Sequence, residues 1–285
     1  MKFLVIACRP KQWIKNLLVF TVPLASGDLL GREVLVNTAI SAIAFIAISA
    51  ATYLINDVSD VKEDQIHSTK KLRPIAAGTL TIAKALVASG VLILFSVGIV
   101  LGFSAWNLGL VLIGYLLLQV VYQGFLKKMV LFDLVAVSAG FLLRAVAGGV
   151  ASSILISPWF LTVTFCAALF MVSGKRFSEL IHQGRIGGTR SSLVRYTEHY
   201  LRLIWTSSMV MTIVFYLLWS VEIGSKGNSW LVLGTSIPFA LAILLYAQHV
   251  DSGDAESPED VVFGDRRIQL MGIIWVVLFA VHVGL

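Results

Sequence analysis

Nine stretches of this chain are apolar over close to the roughly 17 to 25 residues that a helix needs to cross a hydrocarbon layer, and that repetition leaves few folds open. They run over about 14–30, 34–56, 81–103, 106–124, 130–150, 156–174, 204–222, 229–249 and 268–285. Lipid offers no partner for a bare N–H or C=O, and no stretch alternates with the period of two of a barrel strand, so each should be a helix. Of the residues, 58% are hydrophobic and 13% charged, about half the charged share of an ordinary soluble domain. The expectation is an all-α, polytopic membrane protein of nine spans, with residues 1–285 forming a single integral membrane domain.

Basic residues set the orientation of such a chain. With the N-terminus inside, 19 of the 22 lysines and arginines fall on inner segments, Arg32 and Lys226 fall outside, and Arg144 lies within a span. One span more or fewer would scramble that asymmetry. The apolar stretch Phe3 to Cys8 is shorter than a signal-peptide core and Arg9, Lys11 and Lys15 follow at once, so it reads as a cytoplasmic lead-in. The expected location is the cytoplasmic membrane, with the N-terminus and the working face toward the cytoplasm. Cys8 and Cys166 are far apart in apolar surroundings and imply no disulfide framework. The five histidines show no ligand spacing.

The acids lie mostly on the same side as the cations. Their densest group, Asn56-Asp57-Val58-Ser59-Asp60-Val61-Lys62-Glu63-Asp64, directly follows the second apolar run. Continued as a helix at about 100° per residue, Asn56, Asp60 and Asp64 fall at about 0°, 40° and 80°, with Asp57 at about 100°. Three carboxylates crowded on one face make sense only around a hard divalent cation, and carboxylates with an amide oxygen suit Mg²⁺. Mg²⁺ keeps few protein ligands and fills its shell from phosphate oxygens, so Asn56, Asp57, Asp60 and Asp64 are expected to hold a diphosphate through the metal. Lys70, Lys71 and Arg73 follow in sequence; the planar fork of Arg73 suits two phosphate oxygens, and the lysines neutralise charge.

Arg144 stands alone in an apolar run, where a charge is costly and usually functional. It is expected to face a wet cavity and bind phosphate or donor, because Asp133, the structural alternative as partner, would be about 16 Å away along a helix. Tyr122 and Lys127 close the fourth span, Lys127 as a phosphate ligand and Tyr122 as a ligand or an interfacial anchor. Gly98 and Gly102 have the spacing of close helix packing. Ser257-Pro258-Glu259-Asp260 reads as a helix start within a lid or a plain connection. There is no nucleotide-binding glycine loop and no aromatic interleaving of the cations, so no nucleic-acid partner is expected. A transporter is disfavoured because the ionisable residues gather at one membrane face and form no path across it.

The pattern Asn-Asp-x-x-Asp-x-x-x-Asp at 56–64, followed by Arg73-Pro74 and Gly78, resembles the first signature of the UbiA-type membrane prenyltransferase superfamily. That resemblance implies a nine-helix bundle whose acids hold the Mg²⁺-diphosphate of a donor. Arg9-Pro10-Lys11-Gln12-Trp13-Ile14-Lys15-Asn16, the stretch Asp133 to Gly149 and Ser173-Gly174-Lys175-Arg176 with Glu179 are similar to the decaprenyl-phosphate phosphoribosyltransferase branch, and put Lys15 among the expected substrate-binding residues. The branch implies phosphoribosyl diphosphate as donor and a long-chain polyprenyl phosphate in the bilayer as acceptor, for cell-wall arabinan synthesis. Prenyl-transferring members carry a second aspartate-rich motif after the sixth helix; here Lys175, Arg176 and Glu179 stand instead, at about 0°, 100° and 40° on one helical face. Cations in place of acids suit an extra phosphate, which a phosphoribosyl donor and a lipid phosphate supply, whereas a prenyl diphosphate with an aromatic acceptor does not.

Overall fold

The computed structural model describes residues 2–66, 69–103, 105–186, 195–224 and 229–284, and every regular element among them is helical. Among the described residues eight helices are long and apolar enough to cross a membrane: α1 (Arg32–Ser59), α2 (Ile82–Gly102), α3 (Trp106–Gly124), α4 (Phe132–Ala151), α5 (Pro158–Ile186), α6 (Glu198–Gly224), α7 (Ser229–Ser252) and α8 (Arg266–Val283). The protein is a multi-pass membrane protein. Each apolar run expected from residue 34 onward forms one of these helices. Several extend past their apolar stretch, α5 furthest, because Lys175, Arg176 and Glu179 are good helix formers and nothing there breaks the backbone ladder.

The first expected span, 14–30, takes a different form. Residues Pro10–Phe20 wind as a 3-10 helix and Thr21–Ser26 as a short α-helix. A 3-10 run that long is uncommon. Pro23 has no N–H to give the Val19 carbonyl four residues back, which interrupts an α-helical ladder where the two segments meet.

Packing divides the chain into two compact units. Unit one is Met1–Leu24, Asp28–Leu126 and Leu143–Leu155. In it α1 is the central helix, with Ala44, Ala47, Ala50 and Ala51 buried; these small side chains let α2 approach until Ser89 and Ser96 bond the Ala51 and Ala44 carbonyls, each at 3.2 Å. Phe45 meets Tyr115 of α3 edge-on, centroids 4.9 Å apart. Leu94, Leu110 and Val120 are about 70% exposed (71%, 69% and 69%), as lipid-facing side chains are.

One glycine decides a contact. A Cβ built on Gly148 would lie 1.7 Å from the Val19 carbonyl oxygen, so the C-terminal part of α4 lies against the backbone of the 3-10 segment where Pro23 has removed a donor. Gly98 and Gly102 would accept a Cβ with nothing within 4 Å. Their spacing is therefore not a close helix contact among the described residues, and Gly148 makes one instead.

Unit two is Ala25–Gly27, Lys127–Leu142 and Ile156–Leu285. Its core joins Leu134, Phe170, Phe177, Trp205 and Tyr246, and a second cluster joins Val163, Tyr216, Trp219 and Phe279. A polar seam runs through the latter: Trp275 Nε1 donates to the Tyr216 hydroxyl at 2.6 Å, and that hydroxyl lies 2.7 Å from Thr235 Oγ1. Pro258–Gly264 forms the short helix expected after Ser257. Asp265 caps α8 by accepting from Arg267 N at 2.8 Å. Hydrogen bonds from the Arg267 side chain and from His249 hold the Asp265 carboxyl well below the usual carboxylate range. A cavity of about 640 Å³ beside it is lined by both signs of charge, including His182, Asp254, Glu256 and Arg266, and no one ligand chemistry is selected there.

Candidate functional site

The acidic face forms because α1 runs out of its apolar stretch without a helix breaker. The helix stops at Ser59, Asp60 takes φ −94° and ψ 8°, and Val61–Ile66 resumes. Asp60 N still bonds Asn56 O at 2.9 Å and Asp64 N bonds Asp60 O at 2.8 Å, so the register carries across the joint. Asp57 and Asp64, about two turns apart, therefore share a face as the spacing predicts. Both are buried, 3% and 2% exposed.

A guanidinium joins them. Arg73 Nη1 lies 2.7 Å from Asp64 Oδ2 and 3.1 Å from Asp57 Oδ1. Arg73 is extended, at φ −62° and ψ 140°, as a residue before proline should be. The loop behind it is fixed by bonds from Ala77 N to Arg73 O at 2.8 Å and from Leu80 N to Pro74 O at 2.9 Å, with Gly78 at φ +73°, where glycine alone is unstrained. Asp60 points elsewhere and accepts from Gln123 Nε2 of α3 at 2.7 Å.

Arg9 is the partner that sequence reasoning missed. Its guanidinium pairs with Asp57 and lies 5.1 Å from the Tyr53 ring centroid. Its backbone is left-handed, φ 54° and ψ 65°, which costs a non-glycine residue about 1–2 kcal/mol. Such strain persists where surroundings enforce it; here Arg9 N bonds Ile6 O at 3.0 Å and Gln12 N bonds Arg9 O at 2.8 Å. Arg9 is one of three cations around Pro10 and Trp13, and nothing in the sequence separates it from Lys11 and Lys15.

The other expected residues are spread more widely. Asn56 is half-buried at the end of α1, Lys15 is half-buried on the 3-10 segment, Lys71 is exposed on the Lys70–Leu72 turn, and Tyr122 is half-buried beside Gln123. Arg144 is 5% exposed. Its Nε donates to Asn16 Oδ1 at 2.9 Å and its Nη2 to the Tyr115 hydroxyl at 3.2 Å, while the Phe45 and Tyr115 rings lie 5.3 and 5.1 Å away. It ties the 3-10 segment to α3 and α4.

In unit two, α5 brings Lys175, Arg176 and Glu179 onto one face as expected. Arg176 Nη1 donates to Glu179 Oε2 at 3.0 Å and Lys175 Nζ lies 3.9 Å from Glu179 Oε1. The residue missed there is Asp133, 1% exposed, whose Oδ2 is 3.7 Å from Arg176 Nε. The Tyr196 hydroxyl donates to Asp133 and accepts from Leu131 N at 2.8 Å. Burial and then the Asp133 bond push the Tyr196 phenol well above its ordinary range, so it stays a donor. Lys127 is half-buried in the Leu126–Lys128 turn. Of the other cations expected on the inner side, Arg195 donates to Lys128 O at 2.6 Å and Arg202 to Glu198 at 3.2 Å, whereas Arg190 and the Arg185 side chain lie outside the described residues.

Among the described residues no three His, Cys, Asp or Glu side chains converge as a metal cluster. The reason is visible: the Asp57 and Asp64 oxygens turn to guanidiniums, and the Asp60 oxygen to an amide. The donor set is nonetheless all oxygen, two of its carboxylates are buried, and its present partners are hydrogen-bond donors that a hard cation could replace. That chemistry fits Mg²⁺.

A model of the UbiA prenyltransferase family matches residues 18–280. The decaprenyl-phosphate phosphoribosyltransferase of Corynebacterium glutamicum is 39% identical, over 97% of this chain and 86% of its own length. The enzyme of that name from Mycobacterium tuberculosis is 41% identical, over 95% and 90%. A UbiA homolog from Archaeoglobus fulgidus bound to GPP and Mg²⁺ superposes with a TM-score of 0.70 at 15% identity, covering 98% of this chain and 97% of that one. At that identity the likeness is one of fold.

Proposed function

The chain belongs to the UbiA prenyltransferase family, and we propose that within it the protein transfers 5-phosphoribose from phosphoribosyl diphosphate to decaprenyl phosphate, releasing diphosphate, at the cytoplasmic face of the plasma membrane. The observation that carries this reading is the near-full-length likeness to enzymes of that name. The basic set on α5 supports it, since an extra phosphate is what separates this donor from a prenyl diphosphate.

An oxygen of the lipid phosphate attacks the anomeric carbon of the ribose as the bond from that carbon to the diphosphate oxygen breaks, with positive charge growing on the ring. Inversion follows from attack opposite the leaving group. The nucleophile needs no strong base, because a phosphate monoester with a second pKa of about 6 is largely dianionic near neutral pH. Asn56, Asp57, Asp60 and Asp64 would hold Mg²⁺, and the chemistry it would supply when bound is neutralisation of the departing diphosphate. Arg73 turns its fork to diphosphate oxygens, with Lys15 and Lys71 adding positive charge. Lys175 and Arg176 take phosphate oxygens, with Lys127 of the same unit adding positive charge, and Asp133 and Glu179 keep the Arg176 guanidinium in place; Tyr122, next to Gln123 on α3, serves the diphosphate. Arg144 acts through the packing it ties together. The catalytic gain comes from charge stabilisation and from holding together two anions that repel.

The test is a two-arm assay of the purified protein with Mg²⁺. Labelled phosphoribosyl diphosphate with a polyprenyl phosphate should give labelled lipid, and a labelled prenyl diphosphate with 4-hydroxybenzoate should give none; label in the second arm alone contradicts the assignment. Within the first arm, Lys175→Ala should raise KM for phosphoribosyl diphosphate about tenfold, the worth of one charge-assisted hydrogen bond, and change KM for the lipid little. The opposite split would move Lys175 to the acceptor.

A further inference from the structure

Asp57 is paired with the guanidiniums of Arg9 and Arg73, and Asp64 with Arg73. Two carboxylates thus balance two guanidiniums, and the carboxylates are nearly buried. A divalent cation arriving alone must displace both guanidiniums and leave them facing a new positive charge across a few ångströms in partly desolvated surroundings. A cation arriving with a diphosphate does not, since phosphate oxygens are strong acceptors for the displaced forks. Arg9 is built for such an exchange. Its backbone is held at both ends of the left-handed turn, its side chain is 30% exposed, and the Tyr53 ring gives its cation a second contact.

We propose that Arg9 and Arg73 are built-in counterions of the acidic face that trade carboxylates for diphosphate oxygens, so that divalent metal binds this chain as its diphosphate complex and poorly as the free ion. Arg9 sets the size of that coupling. The inference rests on the acidic face being the metal and diphosphate site, as proposed above.

Equilibrium dialysis of the detergent-purified full chain, with labelled Mn²⁺ offered as the free ion or as its diphosphate complex, tests this without turnover. The complex should bind about tenfold tighter or better than the free ion, within the usual range of a coupling between ligands. Arg9→Asn removes the cation while asparagine tolerates the left-handed backbone. It should tighten the free ion and weaken the complex, moving the ratio toward one, and Arg9→Lys should keep most of the coupling. A wild-type ratio of one, or a ratio unchanged in Arg9→Asn, overturns the proposal while Asp64→Asn, by abolishing binding of both forms, keeps the site. If Arg9→Asn gives no folded protein, the wild-type ratio alone decides. Binding of both forms that is indifferent to Asp64→Asn overturns the site reading and this proposal with it.

Discussion

Asp64→Asn should give a folded, membrane-inserted protein whose turnover falls by about a thousandfold or more, roughly 4 kcal/mol of lost transition-state stabilisation. Asp64 is 2% exposed and its carboxylate accepts from Arg73 at 2.7 Å. Asparagine keeps the shape and one oxygen but not the charge that a hard cation needs. Folding should tolerate the change, because Arg73 retains Asp57 at 3.1 Å and so is not left as a stranded cation. Unchanged circular dichroism and detergent elution with vanished lipid labelling is the expected pair of results. Retained turnover with ordinary Mg²⁺ dependence would refute the role of this face.

Gly148→Ala should fail for a different reason, by destroying the fold. The added methyl would lie 1.7 Å from the Val19 carbonyl oxygen and 2.7 Å from its carbon, both backbone atoms that no side-chain rotation can move. Relief requires α4 to shift away from the 3-10 segment, and that shift would also strain the bond from Arg144 to Asn16. Overpacking of this kind costs about 3 kcal/mol, enough to remove much of a marginally stable protein. The expected result is a sharp loss of monodisperse protein and of melting temperature, while Gly98→Ala and Gly102→Ala, with open space around them, behave as wild type. Equal stability of all three would contradict the packing described.

The membrane helices were legible because lipid enforces a long apolar run for each, and the acidic face because a 3.6-residue period survives even the joint at Asp60. The first span was not legible as built. Its composition is apolar enough, but Pro23 acts by withholding a backbone donor, which hydropathy does not count. Long-range partners were also hidden. Arg9, Gln123, Asp133 and Tyr196 are separated from the acids or cations they hold by 48, 63, 43 and 63 residues, and helical periodicity relates only residues a few turns apart. Asp133 is instructive, since helix geometry correctly separates it from Arg144 but has no means of supplying Arg176 in its place. Glycine spacing likewise could not say which glycine meets a neighbour: Gly98 and Gly102 have the spacing, and Gly148 has the contact.

The central claim is that the acids at the end of α1 grip a pyrophosphoryl group through a divalent metal. A density map of the full chain with manganese and phosphoribosyl diphosphate tests it most directly. The account predicts the metal within about 2.2 Å of oxygens from Asp57, Asp60 and Asp64, with the diphosphate against Arg73. Metal and diphosphate bound elsewhere, while those carboxylates still accept from Arg9, Arg73 and Gln123, would contradict it.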